Sequence, residues 1–254
     1  MPHSIKKVGM MIVAALLFEI AGYATDSAPS VAQQQNNFWP RCKGNPSTGP
    51  VTCYYFNGQK YVGGWANGRP NGRGIFVFEG ESGYDRYEGE WRNGIPHGSG
   101  VYLAGDDTRF EGVFREGVMK TGKVFYSNGD RFEGTVGLIL LIGNQGELAG
   151  GTFQPIGQGK FFFANGSRFE GEYLAGTVFG RGVFTHTDGT RCEAQFYNEE
   201  LDGKGSCRYP NKDRYEGELR RAVPHGRGVM IKANGQRYQG MFRDGQPIDP
   251  KKPK

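Results

Sequence analysis

Hydrophobic and polar positions alternate with a period of two over short stretches, and the same short pattern returns along most of the chain. In Tyr87-Glu-Gly89-Glu-Trp91 the odd positions are aromatic or glycine and the even ones charged. This is the signature of a strand, in which alternate side chains share a face. After Arg92-Asn-Gly94 the alternation resumes in mirror order through Gly98-Ser-Gly100-Val-Tyr102. Folding the stretch about its middle sets Tyr87 opposite Tyr102, Gly89 opposite Gly100 and Trp91 opposite Gly98, the pairing of an antiparallel hairpin. Tyr61 with Phe76 and Phe169 with Phe184 obey the same rule. The frame starts again at Tyr61, Phe110, Phe169, Cys192, Tyr215 and Tyr238, the last four at positions 169, 192, 215 and 238, a step of 23 residues. Irregular copies begin at Phe132 and at Ala149, the second with its inner turn shortened to Gln154-Pro155-Ile156. Bends are marked by Asn57-Gly58, Asn67-Gly68, Asn93-Gly94, Asn128-Gly129, Asn165-Gly166, Asp188-Gly189 and Asn234-Gly235, the chemistry that tight hairpin turns require.

Short links between strands predict an all-β fold: an elongated, single-layer antiparallel meander of hairpin repeats, open as a twisted rod or trough. Each copy adds two strands, about 10 Å of array. Such arrays are held by neighbour contacts and need end caps. Bare Gly–Gly rungs leave a trough that rings of the same or a neighbouring hairpin can cover.

The unit Tyr-x-Gly-x-Trp/Phe-x-x-Gly-x-x-x-Gly-x-Gly-x-Tyr/Phe resembles the MORN repeat. The resemblance runs over residues 42 to 248. It implies a repeat-only member of that family, since the repeats leave no room for the catalytic domain that accompanies MORN arrays in some related proteins. One stretch departs from the pattern: Val136-Gly-Leu-Ile-Leu-Leu-Ile142 lacks the Gly-x-Gly half and is strongly apolar. It reads as a shortened hairpin that bends the array, or as a partner-docking patch.

Residues 1–24 are of a different kind. Lys6 and Lys7 precede the apolar run Val8–Phe18, and small-x-small sites follow at Gly22-Tyr23-Ala24 and Ser30-Val31-Ala32. This is the order of a secretory signal, with cleavage after Ala24 or as late as Ala32. The alternative is an N-terminal anchor facing outward, against which stand the shortness of the run and Glu19, a spanning helix needing about 20 residues. The expected organisation is a signal peptide (1–24), a flexible leader (25–41), a capping hairpin (42–58), the array (61–248) and a basic tail (249–254). Secretion or a periplasmic location follows from that reading.

Composition narrows the field. Glycine supplies 43 of 254 residues and aromatics 34 (18 Phe, 13 Tyr, 3 Trp); so much glycine excludes long helices, and so many rings argue against disorder. The net charge is +5, from 31 basic and 26 acidic residues, and Lys6, Lys7, Lys251, Lys252 and Lys254 stand in the two tails. Nucleic acid is not an expected partner.

The four cysteines fit the hairpin rule. Cys192 and Cys207 hold the two opposed aromatic positions of one copy; Cys42 opens a copy-like segment, and Cys53 precedes Gly58 as Phe184 precedes Gly189. Of the three connectivities four cysteines allow, the rule selects Cys42–Cys53 and Cys192–Cys207. Zinc is the rival reading, but no C-x-x-C spacing or nearby His cluster supports it. Disulfides agree with export.

Arg86, Arg109, Arg131, Arg168, Arg191, Arg214 and Arg237 each precede the first aromatic of a copy, and Glu88, Glu111, Glu133, Glu170, Glu193 and Glu216 follow two residues later. Alternation puts both ladders on the face away from the rings. A phosphate-binding stripe is one reading; a mutually neutralised, solvated face is the favoured one. His97 and His225 share a turn position that Asn71 fills elsewhere, so they read as turn residues. No nucleotide-binding loop, nucleophile elbow or His-Glu-x-x-His motif occurs. Neither an enzyme nor a cofactor or metal site is expected.

The function expected is that of an exported, non-catalytic module with a protein-binding or scaffolding surface. Its candidate contact stripe is Tyr61, Trp65, Tyr87, Trp91, Phe110, Phe114, Phe169 and Tyr173, aromatic side chains being those interfaces favour. The competing function is attachment to a phospholipid membrane surface, helped by the Lys251–Lys254 tail. Exposed edge strands also make end-to-end self-association an expectation.

Overall fold

The computed structural model describes residues 40–248 except 48, 56, 57, 81, 82, 143–147 and 199. The segment read as an export signal, the stretch read as a leader up to residue 39 and the tail from 249 lie outside the described residues. Within them there is no helix: eighteen strands follow one another, and successive strands pair antiparallel as an open meander. The chain divides into two compact units, one holding the described residues up to Ser127 with Val136–Phe153, the other Asn128–Thr135 and everything from Gln154 onward.

The first unit starts with β1 (Arg41–Lys43) and β2 (Val51–Tyr54), which pair with Cys42 facing Cys53. There follow β3 (Lys60–Ala66), β4 (Arg69–Gly80), β5 (Gly83–Arg92), β6 (Ile95–Leu103), β7 (Arg109–Arg115) and β8 (Val118–Phe125). β9 (Arg131–Ile142) and β10 (Leu148–Phe162) pair as one hairpin, whose far arm, 136–153, groups with this unit. The second unit continues with β11 (Arg168–Leu174), β12 (Thr177–Thr185), β13 (Arg191–Phe196), β14 (Gly203–Arg208), β15 (Arg214–Arg220), β16 (Val223–Ile231), β17 (Arg237–Arg243) and β18 (Gln246–Pro247).

In four copies the predicted rungs hold at the open end and fail at the tip. Tyr87 faces Tyr102 and Gly89 faces Gly100, but Trp91 pairs with Pro96, not with Gly98. The two-residue turn Asn93-Gly94, with φ of 51° and 84°, closes Arg92 on Ile95, a register two residues tighter than the glycine rungs demand. A bulge between Gly89 and Trp91 absorbs the difference, and Gly98, at φ 65°, turns to pair with Phe114 of the next hairpin instead. Copies starting at Tyr61, Phe169 and Tyr215 carry the same shift.

Two sets of hydrogen bonds stack one hairpin on the next. At the tips, the second turn residue donates its N–H to a proline carbonyl one copy back: Gly94 to Pro70 (2.8 Å), Gly117 to Pro96 (3.0 Å), Gly176 to Pro155 (2.9 Å) and Gly245 to Pro224 (2.9 Å). At the opposite ends, buried carboxylates accept from the next inter-copy turn: Asp85 from the Gly105 N–H (2.6 Å), Asp130 from Ala164 (2.8 Å) and Asp213 from Ala233 (2.9 Å). These residues immediately precede the arginine of their copy, and a buried carboxylate is tolerable only because it is paired.

The segments read as two irregular copies are one. The Phe132 ring covers Gly159, where an added Cβ would lie 2.3 Å from it, so the hairpin begun at Phe132 is completed at 157–162. The intervening residues lengthen both strands, to 12 and 15 residues, and the expectation of a shortened hairpin is corrected. The insertion replaces the two-residue tip, leaving both halves in frame but far apart in sequence. Side chains of Ile139–Ile142, the heart of the apolar stretch, lie outside the described residues.

A candidate interaction surface

The sheet presents two unlike faces. On one, the first ring of a copy lies flat over the glycine of its own second strand. A Cβ at Gly74 would sit 2.2 Å from the Tyr61 hydroxyl, one at Gly100 2.3 Å from that of Tyr87, and one at Gly182 2.2 Å from Phe169 Cζ. Only glycine permits that approach. The tyrosines finish the cover by donating to backbone carbonyls three residues on, Tyr61 to Gly64 (2.7 Å) and Tyr215 to Glu218 (2.7 Å). The ring four positions later then stands edge-on between its own copy and the previous one. Trp91 lies 5.1 Å from Tyr87 and 5.5 Å from Tyr61, near perpendicular to both, and Nε1–H donates to the Gly74 carbonyl at 3.1 Å. Phe114 stands likewise on Tyr87, Tyr173 on Phe132, Phe196 on Phe169, and Phe242 on Tyr215. Edge-to-face packing is the arrangement ring quadrupoles favour.

The rings of the candidate stripe thus lie in the packed layer: Tyr61, Tyr87, Trp91, Phe110, Phe114, Phe169 and Tyr173 are buried, and Trp65 is half-buried. Burial pushes the Tyr61, Tyr87 and Tyr102 phenols far above their ordinary value, Tyr102 also through the neighbouring Asp85 carboxylate, and lifts Tyr209 and Tyr215 to about 12.

The polar face of the second unit is concave. Residues from all eight strands β10–β17 line one open groove of about 1300 Å³, among them Glu172, Arg181, Gln195, Lys204, Glu216 and Arg227. Its floor includes the glycine rungs Gly171, Gly182, Gly205, Gly217, Gly228 and Gly240. The sequence signal for this groove was the charged even positions; what alternation does not reveal is curvature.

Both charge ladders stand on the face away from the rings. Arg86 pairs with Glu88, Arg109 with Glu111 and Arg131 with Glu133 (3.4 Å), the mutual neutralisation expected. Farther along, Glu170 pairs with Lys160 (3.3 Å) instead. His97 and His225 sit at the bulges; His97 Nε2 is 3.5 Å from Arg92 Nη1, and His225 Nδ1 4.0 Å from Asp244. Among the described residues no three His, Cys, Asp or Glu side chains are grouped to hold a metal.

Both cystines form as the pairing rule selected, Cys42–Cys53 and Cys192–Cys207. The second replaces the covering ring of its copy, and Ala194 accordingly stands where other copies need glycine.

The MORN repeat family matches residues 61–81, 87–109, 157–168, 169–191, 192–214 and 215–237. The chain belongs to the MORN-repeat family. No protein of curated function matches it. Among solved structures it is similar to the TCP domain of SAS-4 (dCPAP) in complex with a proline-rich motif of Ana2 from Drosophila melanogaster. That likeness is 14% identical, covers 87% of this chain and 98% of that one, and has a TM-score of 0.37. The TCP10 domain of CPAP from Danio rerio is 13% identical over 80% of this chain and 95% of that one, again with a TM-score of 0.37. Likenesses this distant carry no argument about function.

Proposed function

We propose that this chain is an exported, non-catalytic module whose repeats present a protein-binding or scaffolding surface. The observation that carries the reading is the open groove of the second unit, a continuous polar surface built by eight successive strands. Its lining spreads alternating charges and glycines along the array, which suits a long contact rather than a reaction at one point. Of the candidate stripe, the buried Phe169 and Tyr173 back the strands of this groove, while the other six rings belong to the first unit, where Trp65 is half-buried. Two cystines agree with a secreted or periplasmic location, and N-terminal sequencing of the mature protein tests export by finding a start after Ala24 or Ala32.

The decisive experiment places a photo-crosslinking side chain at Gln195 or Lys204 in the groove and, as control, at Lys212 in an inter-copy turn. Capture of one and the same protein from the groove positions alone is expected. Absence of any groove crosslink, together with co-sedimentation on phospholipid vesicles that fades as salt rises, would replace this reading with membrane-surface attachment.

A further inference from the structure

The basic row changes character across the cystine copy. Transverse to the strands of the second unit, the register places Thr185, Arg191, Arg208, Arg214, Ile231 and Arg237 side by side. In other copies the second-strand member of this row is uncharged, as with Val77, Leu103, Phe125, Thr185 and Ile231. In the cystine copy it is Arg208, so three arginines stand directly opposed on three consecutive strands. Like charges placed so are destabilising. Among the described residues, none of the three guanidinium groups has an ion-pair partner, although Arg86, Arg109 and Arg131 each have one. Arg208 has Ser206 where those arginines have a glutamate. The next rung is Cys192–Cys207, a covalent clamp that holds the repelling strands in register.

We propose that Arg191, Arg208 and Arg214 form an anion-reading rim of the groove that binds an acidic stripe on a helix of a protein partner; this rests on the protein-binding reading above. Neighbouring strands are about 4.8 Å apart, and carboxylates three or four residues apart on a helix are spaced by about 5–6 Å, so three of them match three guanidinium groups in line. Arginine is the cation best shaped for paired bonds to carboxylate. The row continues from Arg214 to Ile231, which is 43% exposed. A polypeptide can meet that apolar neighbour with a side chain of its own; a string of phosphates or sulfates cannot. The rim stands two residues along each strand from Glu193, Ser206 and Glu216 of the groove lining, on a concave face that a flat bilayer does not follow.

The test uses the full mature chain and two synthetic helical peptides, one with three glutamates on a single face, the other an isomer with the same glutamates spread around the helix. Fluorescence anisotropy at several salt concentrations is expected to show binding of the first peptide, weakening with salt, and little of the second. Arg208→Thr should weaken it about three- to tenfold, Arg208→Lys less, and Arg86→Thr not at all. The Arg208→Thr protein should melt no lower than wild type, because the substitution removes a repulsion; a structural role alone would give the opposite. Equal binding of the isomer, indifference to Arg208→Thr, or equally effective competition by anionic vesicles or a sulfated polysaccharide would overturn the proposal. Groove crosslinks to a protein that survive Arg208→Thr would leave the protein-binding reading standing without this rim.

Discussion

Replacing Trp91 with alanine removes the ring on which two copies meet. The side chain is 3% exposed, edge-on to Tyr61 and Tyr87, and bonded to the Gly74 carbonyl. Burying about 200 Å² of aromatic surface at about 25 cal/mol per Å² is worth about 5 kcal/mol. Partial collapse of the surroundings returns some of this, and tryptophan-to-alanine changes in cores cost about 3–5 kcal/mol; about 4 kcal/mol is expected here. For a body of this size that lowers the melting temperature by about 8–16 °C. Urea titration followed by far-ultraviolet circular dichroism measures the loss. Hydrogen exchange should localise it to β3–β8, since repeat arrays are stabilised by neighbours. Trp65→Ala is the internal comparison: that ring is half-buried and tilted at 5.8 Å from Tyr61, and its loss should cost about 1–2 kcal/mol. If Trp91→Ala costs less than about 1 kcal/mol, or no more than Trp65→Ala, the interlocking of rings between copies is wrong.

Gly100→Ala forces a methyl against the Tyr87 ring, 2.3 Å from its hydroxyl, and is expected to cost about 1–3 kcal/mol by chemical denaturation. The natural Ala194 fits because Cys192 carries no ring. In alkali, the folded chain holds protons on Tyr209 and Tyr215 up to about pH 12, whereas the unfolded chain loses them above about 10. Stability therefore falls as pH rises through that interval, and the share of tyrosinate absorbance that belongs to the buried phenols should appear only with unfolding. In acid, the Asp213 carboxyl is held below its ordinary value, first by the Lys232 ammonium and then by the Ala233 N–H. Its contribution is present above the unfolded carboxylate value and is lost as pH falls through the folded one, so Asp213→Asn should flatten the acid limb of the stability curve. Removing the Cys192–Cys207 bridge, whose partners are 15 residues apart, should cost about 3 kcal/mol, read as a lower denaturation midpoint for the double alanine variant.

The sequence alone determined the hairpins, the ring-over-glycine rungs, both cystines and the two charge ladders, because all of these follow from a two-residue period and a local turn, and a repeat states them many times over. Only the tertiary structure decided the rest. Pairing Trp91 with Pro96 depends on a tip turn tighter than the rungs, a conflict that only three-dimensional closure resolves. The single hairpin spanning Phe132 to Phe162 was hidden because its halves are distant in sequence, and the pairing of β9 with β10 and the ring of Phe132 on Gly159 exist only in the folded chain. Curvature placed the open groove on the charged face of the second unit, and packing placed the rings inside a layer on the other face. The row Arg191–Arg208–Arg214 was divided across three strands, and neighbours of that kind exist only once the register is set.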